Sequence, residues 1–377
     1  MLLQPAKRAI PATVRIIQFR TLPNFFINFR TLKIDESMTK PLAEEVIQSN
    51  DLVTEKEIGV KKYKTIPLGI NPAYDEAIKY ILQDKANKYQ QIKQIDEQIN
   101  NFSEERNDEI IKELDVLQKR KYLLQVQAEV NDPEVRWNFK NDIVDMSKPV
   151  YRHLKEKHWK SGPLPKLMER ITQMYVVPDV FPDLEPTMCL EFKFDDEFVE
   201  PGCFQRPIRT INPPTIVMNS FHVETRLYTL IMVDPDMPDI ENKSFQMQWH
   251  WLITNIPISA TKIDISGGNE ILKYVPPHPP KGTKYHRYTL GAFEQSNGKI
   301  EMSKMDLKMN VREFVNQHNL ILRGATFFRE VWDKDVSSIY KNQLGIHEPI
   351  YGKPPKIDHY LDETGKKRPS KFIETLE

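Results

Sequence analysis

Pro279-Pro280-Lys281-Gly282-Thr283-Lys284-Tyr285-His286-Arg287-Tyr288 runs straight into Thr289-Leu290-Gly291-Ala292-Phe293, and this passage decides how the second half of the chain is read. Two prolines fix the backbone of a turn. The apolar run Tyr288–Phe293 has the length of a buried strand. A histidine therefore stands where a turn enters a strand. The same arrangement recurs upstream. Asp234-Pro235-Asp236-Met237-Pro238 closes the apolar run Leu227–Val233, and Gln248-Trp249-His250-Trp251-Leu252 opens a run that ends in Asn255. Further short runs, Met188–Phe194, Thr215–Met218, Tyr228–Val233, Trp249–Thr254 and Ala325–Phe328, alternate with proline-rich turns. That spacing predicts an α+β, mainly β fold: an antiparallel β-sandwich with few helices, one of them over Asp306–His318.

Each of the three motif segments sets an Asp or a His beside proline or aromatic residues at a strand end. Read from the residues alone, these are either buried, hydrogen-bonded groups that tie strands together or members of one polar site. The histidine and aspartate spacing does not fit a local metal motif, and no cysteine stands close by, so no metal is expected. No serine or cysteine nucleophile is tied to them, and no oxyanion-hole signature appears. The sequence therefore points to neither an enzyme nor a cofactor. The two cysteines, Cys189 and Cys203, are too few for a disulfide framework and read as small buried hydrophobes.

The 53 basic and 53 acidic side chains balance, but unevenly along the chain. Residues 1–34 hold six Lys or Arg and no Asp or Glu, so the rest is slightly acidic, with 53 − 6 = 47 basic against 53 acidic residues. An acid-free, arginine-bearing start mixed with Leu, Ile, Phe and Thr reads as a mitochondrial transit peptide. An acidic body argues against a protein that coats nucleic acid over its whole surface and for local contacts. No apolar run reaches the length of a membrane span.

Residues 35–74 read as an irregular extension. Over 75–131, Ile78, Ile81, Ile92, Ile95, Ile99 and Phe102, then Ile111, Leu114, Leu117, Leu124 and Ala128, recur at three- and four-residue spacings among Lys, Glu and Gln, which predicts a helical hairpin or short antiparallel coiled coil. Lys85, Lys88 and Lys121 fall where its seam calls for apolar residues. A connector over 132–159, a β domain over 160–345 and a polar C-terminal tail over 346–377 complete the division.

The three motif segments carry a resemblance. Asp-Pro-Asp-Met-Pro matches the Asp-Pro-Asp-x-Pro segment of the phosphatidylethanolamine-binding-protein (PEBP) family, also called the Raf-kinase-inhibitor-protein family. Trp-His-Trp-Leu-Ile-Thr-Asn is similar to the family's second segment, though one residue shorter. Pro-Pro-Lys-Gly-Thr-Lys-Tyr-His-Arg-Tyr, continuing to Glu294-Gln295, is similar to the third almost without departure. The resemblance implies a pocket for a small anion or lipid head group formed by Asp234, His250, His286 and Tyr288, with Pro238 in its wall. Pro276, Pro277 and His278 replace small residues of the family beside that pocket, and Trp249 replaces the first histidine of a pair.

The wider arrangement of basic start, hairpin, β domain and tail resembles the PEBP-containing proteins of the mitochondrial large ribosomal subunit in their fungal form. It implies a structural constituent of that subunit in the mitochondrial matrix, at the central protuberance, touching neighbouring ribosomal proteins and the large-subunit rRNA. On that reading Lys119, Arg120 and Lys121, and Lys366, Lys367, Arg368 and Lys371, are candidate phosphate contacts. The alternative is a mitochondrial PEBP-type module that binds anionic ligands or inhibits a partner away from the ribosome.

Overall fold

Helix α1 (Pro72–Asn101) starts where the sequence supplies a cap: the Asn71 side chain accepts from the backbone of Ala73 and Tyr74, and Pro72 occupies the first turn. Helix α2 (Asp108–Glu129) returns antiparallel to it. The pairing is read from Lys85 with Asp132 at 3.2 Å, Tyr89 with Glu129 at 2.8 Å and Lys121 with Asp96 at 2.5 Å. Only Ile92 and Ile95 of α1 and Val126 and Ala128 of α2 are fully buried, so the apolar seam is narrow. The three lysines that interrupt it are half-buried and neutralised, Lys85 by Asp132, Lys88 by Asp84 one turn earlier, and Lys121 by Asp96. These are the described residues of a computed structural model, which comprise 62–102, 108–305, 307 and 309–352. The transit-type segment, most of the 35–74 extension and Lys366, Lys367, Arg368 and Lys371 lie outside them.

Three more helices follow where the sequence reading placed mainly a connector: α3 (Pro133–Lys140), α4 (Pro149–Ser161) and α5 (Pro163–Gln173). Each opens on a proline, whose missing N–H and fixed φ suit a first helical turn. Val135, Val150 and Tyr151 form a small core between α3 and α4.

Nine strands among the described residues make two sheets. The smaller has the order β2-β1-β4, from β1 (Cys189–Phe194), β2 (Glu197–Phe198) and β4 (Thr215–Asn219). The larger has the order β3-β9-β8-β5-β6-β7, from β3 (Phe204–Gln205), β5 (Arg226–Asp239), β6 (Ser244–Ile258), β7 (Asn269–Leu272), β8 (His286–Gln295) and β9 (Leu320–Glu330). One face of the larger sheet buries Leu230, Met232, Leu290 and Phe328 against Leu190, Phe192 and Phe194 of the smaller one. The opposite face buries Ile231, Val233, Phe293 and Phe327 against Ile171 of α5 and Phe314 of α6 (Val311–Gln317). Each such side chain is worth about 1.5–3 kcal/mol when fully buried.

The expected antiparallel sandwich is thus corrected in two respects. The larger sheet is mixed, because β3 runs parallel to β9 through Phe204↔Arg329 and Gln205↔Glu330. Its outer face carries helices in place of solvent, and for this reason β5 and β8 read as near-continuous apolar runs. The helix expected over Asp306–His318 begins at Val311, because Asn310 and Glu313 close a capping box there. Cys189 and Cys203 are free and half-buried, and burial with help from Glu191 pushes the Cys189 thiol up to about 12.

Candidate ligand site at the strand ends

The site forms at the edge of the inter-sheet core, where β8 begins and β9 ends beside the interior of β5 and β6. Strand β8 alternates faces, so His286 and Tyr288 point inward toward the smaller sheet while Arg287 points to the helical side. Strand β6 reaches the same place through a bulge. Pairing with β5 passes from Met232↔Trp251 to Val233↔Trp249, which leaves His250 as the extra residue and turns its ring into the site. Asp234 closes the group from β5. A second register shift comes after it, between Asp234 and Met237, so that Asp236 serves the opposite face although it is only two residues away.

Four of the residues predicted from sequence do converge: Asp234, His250, His286 and Tyr288 are each 0–1% exposed. His286 Nδ1 lies 2.6 Å from Asp234 Oδ2 and its Nε2 lies 2.9 Å from Thr283 Oγ1, so both ring nitrogens are engaged within the protein. The Asp236 backbone N–H donates to Asp234 Oδ1 at 2.8 Å. His250 Nδ1 lies 2.8 Å from Val275 O. A carbonyl only accepts, so Nδ1 carries the hydrogen. Burial, with His278 adding to it, pushes the His250 pKa down to about 3, and Nε2 is left as a bare lone pair without a partner. His250 and Tyr288 meet edge-on with centroids 5.1 Å apart. Pro238 lies further along β5, partly exposed and paired with Phe245.

Three residues complete the site: His278, which the sequence reading set beside the pocket, and Glu330 and Tyr340, which it did not place there. His278 is 3% exposed. It donates from Nδ1 to Pro276 O at 2.6 Å and accepts from Gln248 Nε2 at 3.0 Å, and burial lowers its pKa. Glu330, fully buried on β9, accepts from Thr210 Oγ1 at 2.9 Å, and burial holds its carboxyl well above the usual range. Tyr340, which follows α7 (Lys334–Ile339), donates to His278 O at 3.0 Å and sets its ring edge against the imidazole. His278 stood out in the sequence as a departure from the family beside the pocket, and Glu330 as an acid at the end of the apolar strand ATFFRE.

The 346–351 segment straps the outer loop. Tyr351 donates to Lys281 O at 2.7 Å, and Glu348 accepts from Trp332 and Ser337. Gly282 sits at φ +93°, and a Cβ there would fall 1.4 Å from Tyr351 O, so the strap requires glycine at this position.

A phosphate or carboxylate brings lone pairs and needs hydrogen-bond donors. The unpartnered buried atoms here are His250 Nε2, Gln248 Oε1, Glu330 Oε1 and the Tyr288 hydroxyl. The first two are acceptors, and two carboxyl groups share the enclosure. The arrangement suits hydrogen-bonded closure of the strand ends better than capture of an anion.

The remaining motif residues are structural. Asp236 takes Arg287 in a two-pronged pair at 2.7 and 2.9 Å, and Arg287 also donates to Met174 O and to Asp179, which fastens the 174–179 segment to the sheet. Asn255, at φ +59°, exchanges hydrogen bonds with Gln295 and Ile300. On the hairpin, Lys119 pairs with Asp115 at 2.5 Å in the open, Arg120 is exposed, and Lys121 is held by Asp96.

A family model described as phosphatidylethanolamine-binding protein matches residues 194–328. Protein TWIN SISTER of FT from Arabidopsis thaliana is 32% identical over 154 residues, covering 41% of this chain and 85% of that protein. The chain belongs to the phosphatidylethanolamine-binding protein family. This PEBP chain is also similar to large ribosomal subunit protein mL38 of Schizosaccharomyces pombe, at 28% identity over 233 residues that cover 60% of the chain and 76% of that protein. Among solved structures, the carboxypeptidase Y inhibitor crystallised with its cognate proteinase aligns with a TM-score of 0.38 and 18% identity, over 45% of the PEBP chain here and 96% of that one.

Proposed function

We propose that this chain is a structural constituent of the mitochondrial large ribosomal subunit, seated at the central protuberance in the matrix and held by neighbouring ribosomal proteins and rRNA. The observation that carries the reading is the reach of the mL38 similarity. It covers 60% of the chain, whereas Cys189–Leu344, the whole β part, is 156 of 377 residues. The likeness therefore extends into segments that a plain PEBP domain lacks. The buried site supports the same reading, because the ring N–H groups of His250, His278 and His286 are engaged within the protein. A non-catalytic role fits the same reading. Lys119 and Arg120 remain candidate phosphate contacts on the hairpin.

The alternative, a PEBP module that acts off the ribosome on anionic ligands or a peptidase, places function in Asp234, His250 and His286. Complementation separates the two. Mitochondrial translation should survive His250→Gln and fail when residues 75–130 are replaced by a short linker. The reverse pattern would favour the ligand-binding module.

A further inference from the structure

Residues 140–170 carry eight Lys or Arg against four Asp or Glu in a chain that is balanced overall. Three of the eight are consumed locally. Arg152 is buried and donates to Met146 O and Ser147 O, Lys155 pairs with Asp142, and Lys160 pairs with Glu156. Lys140, Lys148, Lys157, Lys166 and Arg170 are exposed and have no ion-pair partner among the described residues. Asp145 is hydrogen-bonded to Ser147 and lies within the field of Lys148 and Arg152, and Glu169 is hydrogen-bonded to Gln173.

Helix periodicity organises these charges into rows. On α4 the unpaired Lys157 stands opposite the buried Tyr151 and Trp159, in one row with the half-buried His153 and with Lys160, which Glu156 holds. On α5, Lys166 and Arg170 recur at i, i+4, away from the buried Leu167 and Ile171. Gly162 alone joins the two helices. No large apolar side chain between Lys140 and Arg170 is exposed, although the hairpin before this segment shows Val116 and Leu123, and Tyr175 is exposed just after it. A protein partner would call for apolar or aromatic anchors, and membrane insertion for an apolar face. A surface of unpaired cations without either suits a phosphate backbone.

We propose that the outward rows of α4 and α5 are a docking surface for the phosphate backbone of RNA. The inference rests on the ribosomal reading for the source of that RNA, and it adds a surface distinct from the hairpin and tail lysines.

Two measurements test it. First, the full chain is titrated against a fluorescein-labelled RNA duplex by anisotropy at several KCl concentrations. The triple variant Lys157→Glu, Lys166→Glu, Arg170→Glu should bind at least about 10-fold more weakly, with the log–log salt slope smaller by about 2, whereas Lys79→Glu, Lys112→Glu on the hairpin should change neither. Unchanged thermal melting keeps folding out of the result. An unchanged slope in the triple variant, or the same residues binding anionic phosphatidylserine vesicles and not the duplex, would overturn the proposal. Second, tagged chains are followed on mitochondrial large subunits washed in 0.5 M KCl. Wild type retained and triple variant released supports the surface, and both retained argues against it. Wild type absent from subunits before any wash defeats the ribosomal reading instead, and the anisotropy result then stands alone as the judgement on the surface.

Discussion

His250 and Tyr288 face each other edge to face, centroids 5.1 Å apart and ring planes at 90°, with 1% and 0% of their surface exposed. The imidazole has no N–H to spare, since its one N–H goes to Val275 O. This contact sits where a ligand of the family is expected, and it leaves the enclosure short of donors for an anion.

Phosphate and phosphoethanolamine should not bind here. Isothermal titration of the full chain with either probe to millimolar concentration should give only heats of dilution. A saturable isotherm that disappears in His250→Gln would show that the site opens and donates to anions.

The buried histidines should cost stability on mild acidification. The His250 pKa is about 3 in the folded chain against about 6.5 when unfolded, and burial lowers that of His278 in the same direction. Below about pH 6.5 the unfolded chain binds protons that the folded chain refuses, so stability is complete above that pH and drains away as the pH falls toward 3. From pH 7 to pH 5 the loss from His250 alone is about 2 kcal/mol, at about 1.4 kcal/mol per pH unit below 6.5. Urea denaturation across that range should show it, and His250→Gln should remove it. Glu330, whose carboxyl burial holds well above its usual range, slopes stability the other way over the same pH range, so the histidine effect is read as the difference between wild type and His250→Gln, and equal profiles in the two would mean that His250 is solvated or already charged.

The hairpin seam should tolerate losing its charges in pairs and resent losing them singly. Lys121 and Asp96 are each about a third exposed, with side-chain values of 32% and 41%, so their pairing is worth at most about 1 kcal/mol. Lys121→Leu alone leaves Asp96 facing an apolar neighbour and should speed amide exchange along α1 and α2. Lys121→Leu with Asp96→Leu should restore or exceed wild-type protection. Equal exchange in the single and double variants would remove the pair from any role in the seam.

How much of this was legible beforehand depends on the range of the signal. The apolar runs announced β1, β4, β5, β6, β8 and β9, because length and turn punctuation are local properties. Lys85, Lys88 and Lys121 were visible as misfits, but their acids were not assignable: Asp132 and Asp96 lie across the hairpin, and only Asp84 is a helical neighbour. The helices α3, α4 and α5 were missed although Pro133, Pro149 and Pro163 marked their first turns, since their apolar residues form short and broken stripes. Asp234, His250, His286 and Tyr288 lie together while Pro238 stands apart, and the bulge at His250 and the shift after Asp234 set which face each serves, which a sequence does not display. His278, Glu330 and Tyr340 came from three separate segments whose meeting is purely tertiary.

The central claim is that this PEBP chain works as a fixed part of the large mitochondrial ribosomal subunit. The most direct measurement is sedimentation of an epitope-tagged chain from a gentle mitochondrial lysate through sucrose gradients, with and without EDTA. The account predicts that the chain travels with the large subunit, stays with it when EDTA separates the subunits, and does so equally in His250→Gln. Recovery at the top of the gradient, free or with membrane, would contradict it.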